Sequence, residues 1–131
     1  MTSRFKPILF LEANPRIRSL FDSFWGLSMI ENEMIQFVSE KDFWERSLNE
    51  CALLLIDRHL IEGEIIEWMR QVELKKPQMI SRIIWVVETK EERDRIITLG
   101  FQNVLRLPFQ WSQWLPVICK MGLRWRLWRQ S

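Results

Sequence analysis

The stretch Ala52-Leu53-Leu54-Leu55-Ile56-Asp57 constrains the fold more than any other, because five apolar residues in a row stop on a carboxylate. A strand with one wet face alternates apolar and polar side chains, and this run does not. It reads as a central strand covered on both faces, which requires parallel neighbours and flanking helices. Asp57 then stands at the carboxyl end of that strand. In open parallel sheets, ligands bind in the crevice outside those ends. Two readings of Asp57 stay open from this stretch alone: a chemical group at the crevice, or a turn former and helix cap.

Ile8-Leu9-Phe10-Leu11 is a second wholly apolar run, and it too ends on an acid, Glu12. Asn14 and Pro15 suit the cap and first position of a helix. Ile17, Leu20, Phe21 and Phe24 recur at helical spacing, predicting a helix over about 15–25 that Gly26 ends. Residues 34–38 predict a third strand, and Ser39 with Asp42 resembles a capping box opening a helix through Phe43, Trp44 and Leu48. Beyond a loop with Gly63, the residues Ile65, Ile66, Trp68, Met69, Val72 and Leu74 make a helical apolar face that breaks at Lys76-Pro77. Residues 82–87 predict the next buried strand, and Thr89 caps a helix with Glu91 and Glu92 in its first turn and Gly100 as its stop. Residues 103–105 predict a last strand, and Ser112 caps a final helix reaching Arg129.

Five strands thus alternate with five helices over short connections, with no repeat or linker, so that one domain spans 1–131. The pattern predicts a doubly wound (βα)5 α/β domain of three layers, flavodoxin-like, with a parallel sheet in the order 2-1-3-4-5. In that order the first and third strands are neighbours, which brings Glu12 and Asp57 together.

Lysine and arginine total 19 against 17 acidic residues, and a net charge of +2 does not argue for a nucleic acid or an acidic membrane as partner. Past Leu105, however, the only charged residues are basic: Arg106, Lys120, Arg124, Arg126 and Arg129. Cys51 and Cys119 lie in apolar surroundings without CxxC spacing, and read as buried free thiols of a reducing compartment. The first residues lead into a strand with no signal-like apolar region, and no run approaches membrane-spanning length, so a cytoplasmic location is expected.

In order and spacing these residues resemble a response-regulator receiver domain, the phospho-acceptor module of two-component signalling. The resemblance spans essentially the whole chain: Ile8 to Pro15 as first strand and acidic turn, Leu53 to Asp57 as acceptor strand, Gly63 before the third helix, and Leu99-Gly100 through Pro108-Phe109 around the fifth strand. It implies that Asp57 holds the phospho-acceptor position and Glu12 the first of two magnesium-binding acidic positions. Hard Mg2+ prefers oxygen ligands and offsets the charge of phosphate and carboxylate as they meet. The resemblance implies a weakened Mg2+ site of Glu12, Asp57 and the backbone carbonyl of His59, since Ala13 stands where the second acid belongs.

Two further positions depart from the family pattern. A Thr or Ser that binds the phosphoryl group is replaced by Val87, or by Trp85 if the gap is placed differently, and Thr89 lies two residues beyond. The lysine before the proline is replaced by Leu107, with Arg106 one residue off and on the other side of the strand. A charge-assisted hydrogen bond contributes roughly 1.5–3 kcal/mol, so losing that lysine alone weakens phosphoryl stabilisation by about one to two powers of ten. Val104 stands where the family carries the aromatic of its switch, so both ends of the hydroxyl-to-aromatic relay are missing. The expectation is a stand-alone, degenerate receiver that is not an enzyme and acts through protein contact. Its partner would be a sensor histidine kinase, a phosphotransfer protein or a downstream regulator. The alternative is an Asp57 still phosphorylated with an impaired metal site.

His59, the only histidine, reads as a variable loop residue whose side chain points away from Asp57. The turn Glu12-Ala13-Asn14-Pro15 has no glycines to admit a nucleotide phosphate. In the last helix, Trp114, Ile118, Met121, Trp125 and Trp128 recur at helical spacing and Arg124 is interleaved with them. Three readings compete there: an interface for a homodimer or protein partner, extra packing, and, less favoured, contact with nucleic acid or an acidic membrane.

Overall fold

Five short strands carry the prediction through. In the computed structural model, which describes residues 6–28, 32–46, 50–101 and 103–107, they are β1 (Ile8–Leu11), β2 (Met34–Phe37), β3 (Leu53–Asp57), β4 (Ile83–Val87) and β5 (Val104–Arg106). They form one parallel sheet in the order β2-β1-β3-β4-β5. Between them run α1 (Pro15–Ser28), α2 (Glu40–Glu45), α3 (Ile65–Lys75) and α4 (Lys90–Thr98), with 3-10 turns at Arg58–Leu60 and Pro77–Arg82. This is the flavodoxin-like arrangement.

Strand alternation divides the core in two. Leu9, Leu11, Leu54, Ile56, Trp85 and Val87 pack with Phe43 of α2, Trp68 of α3 and Ile96 of α4. Ile8, Phe10, Leu53, Leu55, Ile84 and Val86 pack with Ile17 and Phe21 of α1. Leu53 to Ile56 are each 0% exposed, which explains why the run shows no polar alternation. On the first of these faces the tryptophans pack inward: ring centroids step from Phe43 to Trp68 at 5.9 Å, to Trp85 at 5.8 Å and to Phe101 at 6.3 Å. Cys51 is buried among them, and burial pushes its thiol up to about 12, which leaves it unreactive.

Local signals succeed where the chemistry is complete. Asn14 Oδ1 accepts from Arg16 N at 2.9 Å and opens α1 ahead of Pro15. At α4 the capping box is reciprocal: Thr89 Oγ1 accepts from Glu92 N, and Glu92 Oε1 accepts from Thr89 N, both at 3.1 Å. Gly100, at φ 101°, takes the left-handed conformation past the end of α4, donating to Ile97 O at 2.9 Å while Phe101 N reaches Ile96 O at 3.3 Å.

Several boundaries move. Gly26 does not end α1, which continues to Ser28; one internal glycine costs a helix only about 1 kcal/mol. Ser39 Oγ does accept from Asp42 N at 3.1 Å, but the shorter Asp42 side chain pairs with Arg46 at 3.3 Å instead of closing a box. The backbone turns extended at Arg46, so α2 stops at Glu45, and Leu48 lies outside the described residues. Arg82 belongs to a 3-10 turn and not to β4, and β5 is displaced by one residue, to Val104–Arg106. The final helix, with Trp114, Ile118, Met121, Arg124, Trp125 and Trp128, lies outside the described residues, as does Cys119.

Replacing Thr89 by Ala removes the side-chain half of the α4 box and should cost about 1 kcal/mol, read in urea as a lower unfolding midpoint with an unchanged slope.

Candidate functional site

The register of the two central strands builds the site. β1 and β3 pair as Leu11 with Ile56, so the next residues, Glu12 and Asp57, emerge together at the carboxyl edge of the sheet. Glu12 is 1% exposed and Asp57 5%. The Glu12 N–H donates to Phe37 O at 3.0 Å, which anchors this residue to the end of β2. Its Oε2 accepts from Asn14 N at 3.2 Å, and its buried Oε1 has no hydrogen-bond partner. Asp57 Oδ1 accepts from His59 N at 3.0 Å and caps the 3-10 turn that follows β3. The cap reading of Asp57 is therefore correct, and it coexists with a place beside Glu12.

Burial first, then the neighbouring Asp57 carboxyl, push Glu12 up to about 9, against the opposing pull of the Asn14 and Ala13 N–H groups. That value favours the protonated form of Glu12 at neutral pH.

The pair floors an open cavity of about 710 Å3 whose wall includes Asn14, Ser39, Lys41, His59, Glu62 and Glu88. Neither Val87 nor Leu107 is part of that wall. Register settles which residue ends β4: Trp85 pairs with Ile56 inside the sheet and is 0% exposed, whereas Val87 is its last residue, beyond the partner of Asp57. Val87 is buried in the core with the α3 and α4 residues, and its carbonyl accepts from Leu107 N at 2.7 Å. Leu107 packs on the opposite core, Arg106 is exposed, and Val104 is partly buried. Thr89 offers no replacement hydroxyl, since its Oγ1 lies 3.1 Å from both Glu92 N and Glu92 Oε1 in the α4 box.

His59 is the principal correction. The expectation that its side chain points away from Asp57 applied strand alternation to a residue that lies in a 3-10 turn. Capping by Asp57 curls the chain back, and His59 Nδ1 lies 3.6 Å from Asp57 Oδ1 and 3.8 Å from Glu88 Oε2, while Nε2 lies 2.7 Å from Glu92 Oε2. Burial would raise the Glu92 carboxyl, but the His59 charge and hydrogen bonds from Thr89 and two backbone N–H groups outweigh it and hold it low. Glu88 and Glu92 were not among the expected site residues; Glu92 was expected only in the first turn of the helix capped by Thr89, and nothing local shows what else it touches.

The side-chain oxygens that could hold Mg2+ are those of Glu12 and Asp57, and the partnerless Glu12 Oε1 fits an ion completed largely by water. Such an ion would supply positive charge beside Asp57, and it must first displace the Glu12 proton. Among the described residues no group of three His, Cys, Asp or Glu is placed to hold a metal.

Solved receiver domains share this parallel sheet in the order 2-1-3-4-5. A bacteriophytochrome response regulator, AtBRR, superposes with a TM-score of 0.74 at 21% identity, covering 93% of this chain and 96% of its own. A second, RtBRR, gives 0.72 at 25% identity, covering 92% and 80%. The receiver domain of a sensor histidine kinase of Pseudomonas aeruginosa, which holds a magnesium ion in its active-site cleft, gives 0.68 at 14% identity, covering 90% and 98%. No family model and no curated protein matches the sequence. The chain has the fold of response-regulator receiver domains.

A pH dependence of stability follows from Glu12. Its folded-state value lies above the ordinary 4.5, so between the two the unfolded chain has released a proton that the folded chain keeps. Stability should therefore fall as pH rises, from about pH 6 to about pH 8. Urea unfolding of Glu12→Gln, which is neutral throughout, should show a flatter dependence.

Proposed function

We propose that this chain is a receiver-like signalling domain that acts by protein contact and does not depend on phosphorylation of Asp57. The observation that carries this reading is the cavity over Glu12 and Asp57, to which neither Val87 nor Leu107 contributes. Phosphoryl transfer to Asp57 needs a metal, a hydroxyl and a cation around the incoming group. Here Ala13 brings no carboxylate, Val87 no hydroxyl and Leu107 no charge. The absence of a cation at Leu107 alone weakens phosphoryl stabilisation by about one to two powers of ten, and the missing carboxylate and hydroxyl compound this.

On this reading the chain is not an enzyme. Its partner is a sensor histidine kinase, a phosphotransfer protein or a downstream regulator in the cytoplasm, and the last helix supplies a contact face for a homodimer or that partner. Among the described residues no helix is long and apolar enough to cross a membrane. A second reading keeps Asp57 as a phospho-acceptor with a magnesium site reduced to Glu12, Asp57 and the His59 carbonyl. What favours it is the position of Asp57, at the end of β3 and on the floor of the open cavity.

The two separate on addition of Mg2+ and beryllofluoride, a phosphoryl mimic, followed by tryptophan fluorescence and by the amide shifts around Asp57. The protein-contact reading expects no saturable change in the sub-millimolar range of mimic. Saturation there, abolished by Asp57→Asn, would establish the second reading instead.

A further inference from the structure

We propose that His59 is the positioning residue that ties the acid pair to α4, in place of the hydroxyl-to-aromatic relay that Val87 and Val104 cannot form. Its imidazole spans two elements: Nε2 lies within hydrogen-bonding distance of Glu92 Oε2, at 2.7 Å, and Nδ1 lies 3.6 Å from Asp57 Oδ1. The same Asp57 oxygen accepts the His59 backbone N–H at 3.0 Å, so ring and backbone of one residue both address it.

At the far end, Glu92 divides its two oxygens. Oε1 closes the cap of α4, accepting from Thr89 N at 3.1 Å and Glu88 N at 3.3 Å, while Oε2 meets His59. A shift of the imidazole therefore pulls on the group that fixes the first turn of α4. The ring also has room to move, because His59 forms part of the wall of two cavities, the 710 Å3 one over the acid pair and another of about 410 Å3 reaching Glu92, Arg95 and Ile96 of α4. The Thr89 hydroxyl, engaged with Glu92 at 3.1 Å, belongs to the same cap and is carried along with it.

The contact between two partly exposed side chains contributes little to stability. Its role is coupling, since Asp57 and Glu92 otherwise sit on separate elements. This inference stands on the contacts of His59 with Asp57 and Glu92, and it holds whichever chemistry reaches Asp57.

The test is a coupling cycle read by backbone amide shifts. With His59 present, Asp57→Asn should move the amides of Glu88 to Arg93, and Glu12→Gln serves as a second disturbance of the same pair. In a His59→Ala background the α4 response to either should drop severalfold. His59→Gln, whose amide can donate to Glu92, should restore part of it. An α4 response of equal size without His59 overturns the proposal, as does no α4 response to either acid substitution when His59 is present. Neither outcome depends on the beryllofluoride titration, which tests the functional reading by itself.

Discussion

Two carboxyl groups and one proton, placed at the end of two neighbouring strands, are what the rest of this site depends on. The β1–β3 register sets Glu12 against Asp57, and the burial of both makes full ionisation costly. A magnesium ion would relieve that repulsion by adding charge. A proton relieves it without any ligand, and burial and Asp57 hold that proton on Glu12 far above the ordinary carboxylate range. A cation entering the cavity competes with that proton from the start, and the buried Glu12 Oε1 has no hydrogen-bond partner of its own.

The surroundings point the same way. Where a phosphoryl site gathers a hydroxyl and a cation, this chain puts Val87 and Leu107 to work in the two cores on either side of the sheet. Those positions serve packing, and the electrostatics of the cavity are left to Lys41, His59 and several carboxylates. Asp57 meanwhile caps the turn after β3, so its carboxylate shapes the backbone that carries His59. The link from the site to α4 is then made by side chains that lie after the strand ends and not within them.

The legible part of this architecture was the part written in periodicity and caps. An apolar run without alternation marks β3 as doubly covered; an asparagine before a proline, the cap Thr89 and a glycine mark α1, α4 and the end of α4, and each does so by a bond in the structure. The meeting of Glu12 with Asp57 was readable because strand order alone determines it. Less legible were features decided by single atoms or by distant residues. Asp42 is one methylene too short to close a capping box, Gly26 is tolerated inside a helix, and only the register separates Val87 from Trp85 as the end of β4. His59 was misjudged because a strand rule was carried one turn too far, and its contact with Glu92 joins residues more than thirty positions apart in the chain.

The pH at which Glu12 releases its proton is the central quantity of this site, and the most direct measurement is the carbon chemical shift of the Glu12 side-chain carboxyl followed through a pH titration. Burial and the neighbouring Asp57 predict a midpoint well above neutrality that drops toward the ordinary carboxylate range when Asp57 is replaced by Asn. A midpoint near 4.5 in the unmodified protein would contradict it, since burial beside Asp57 would then not hold the proton on Glu12.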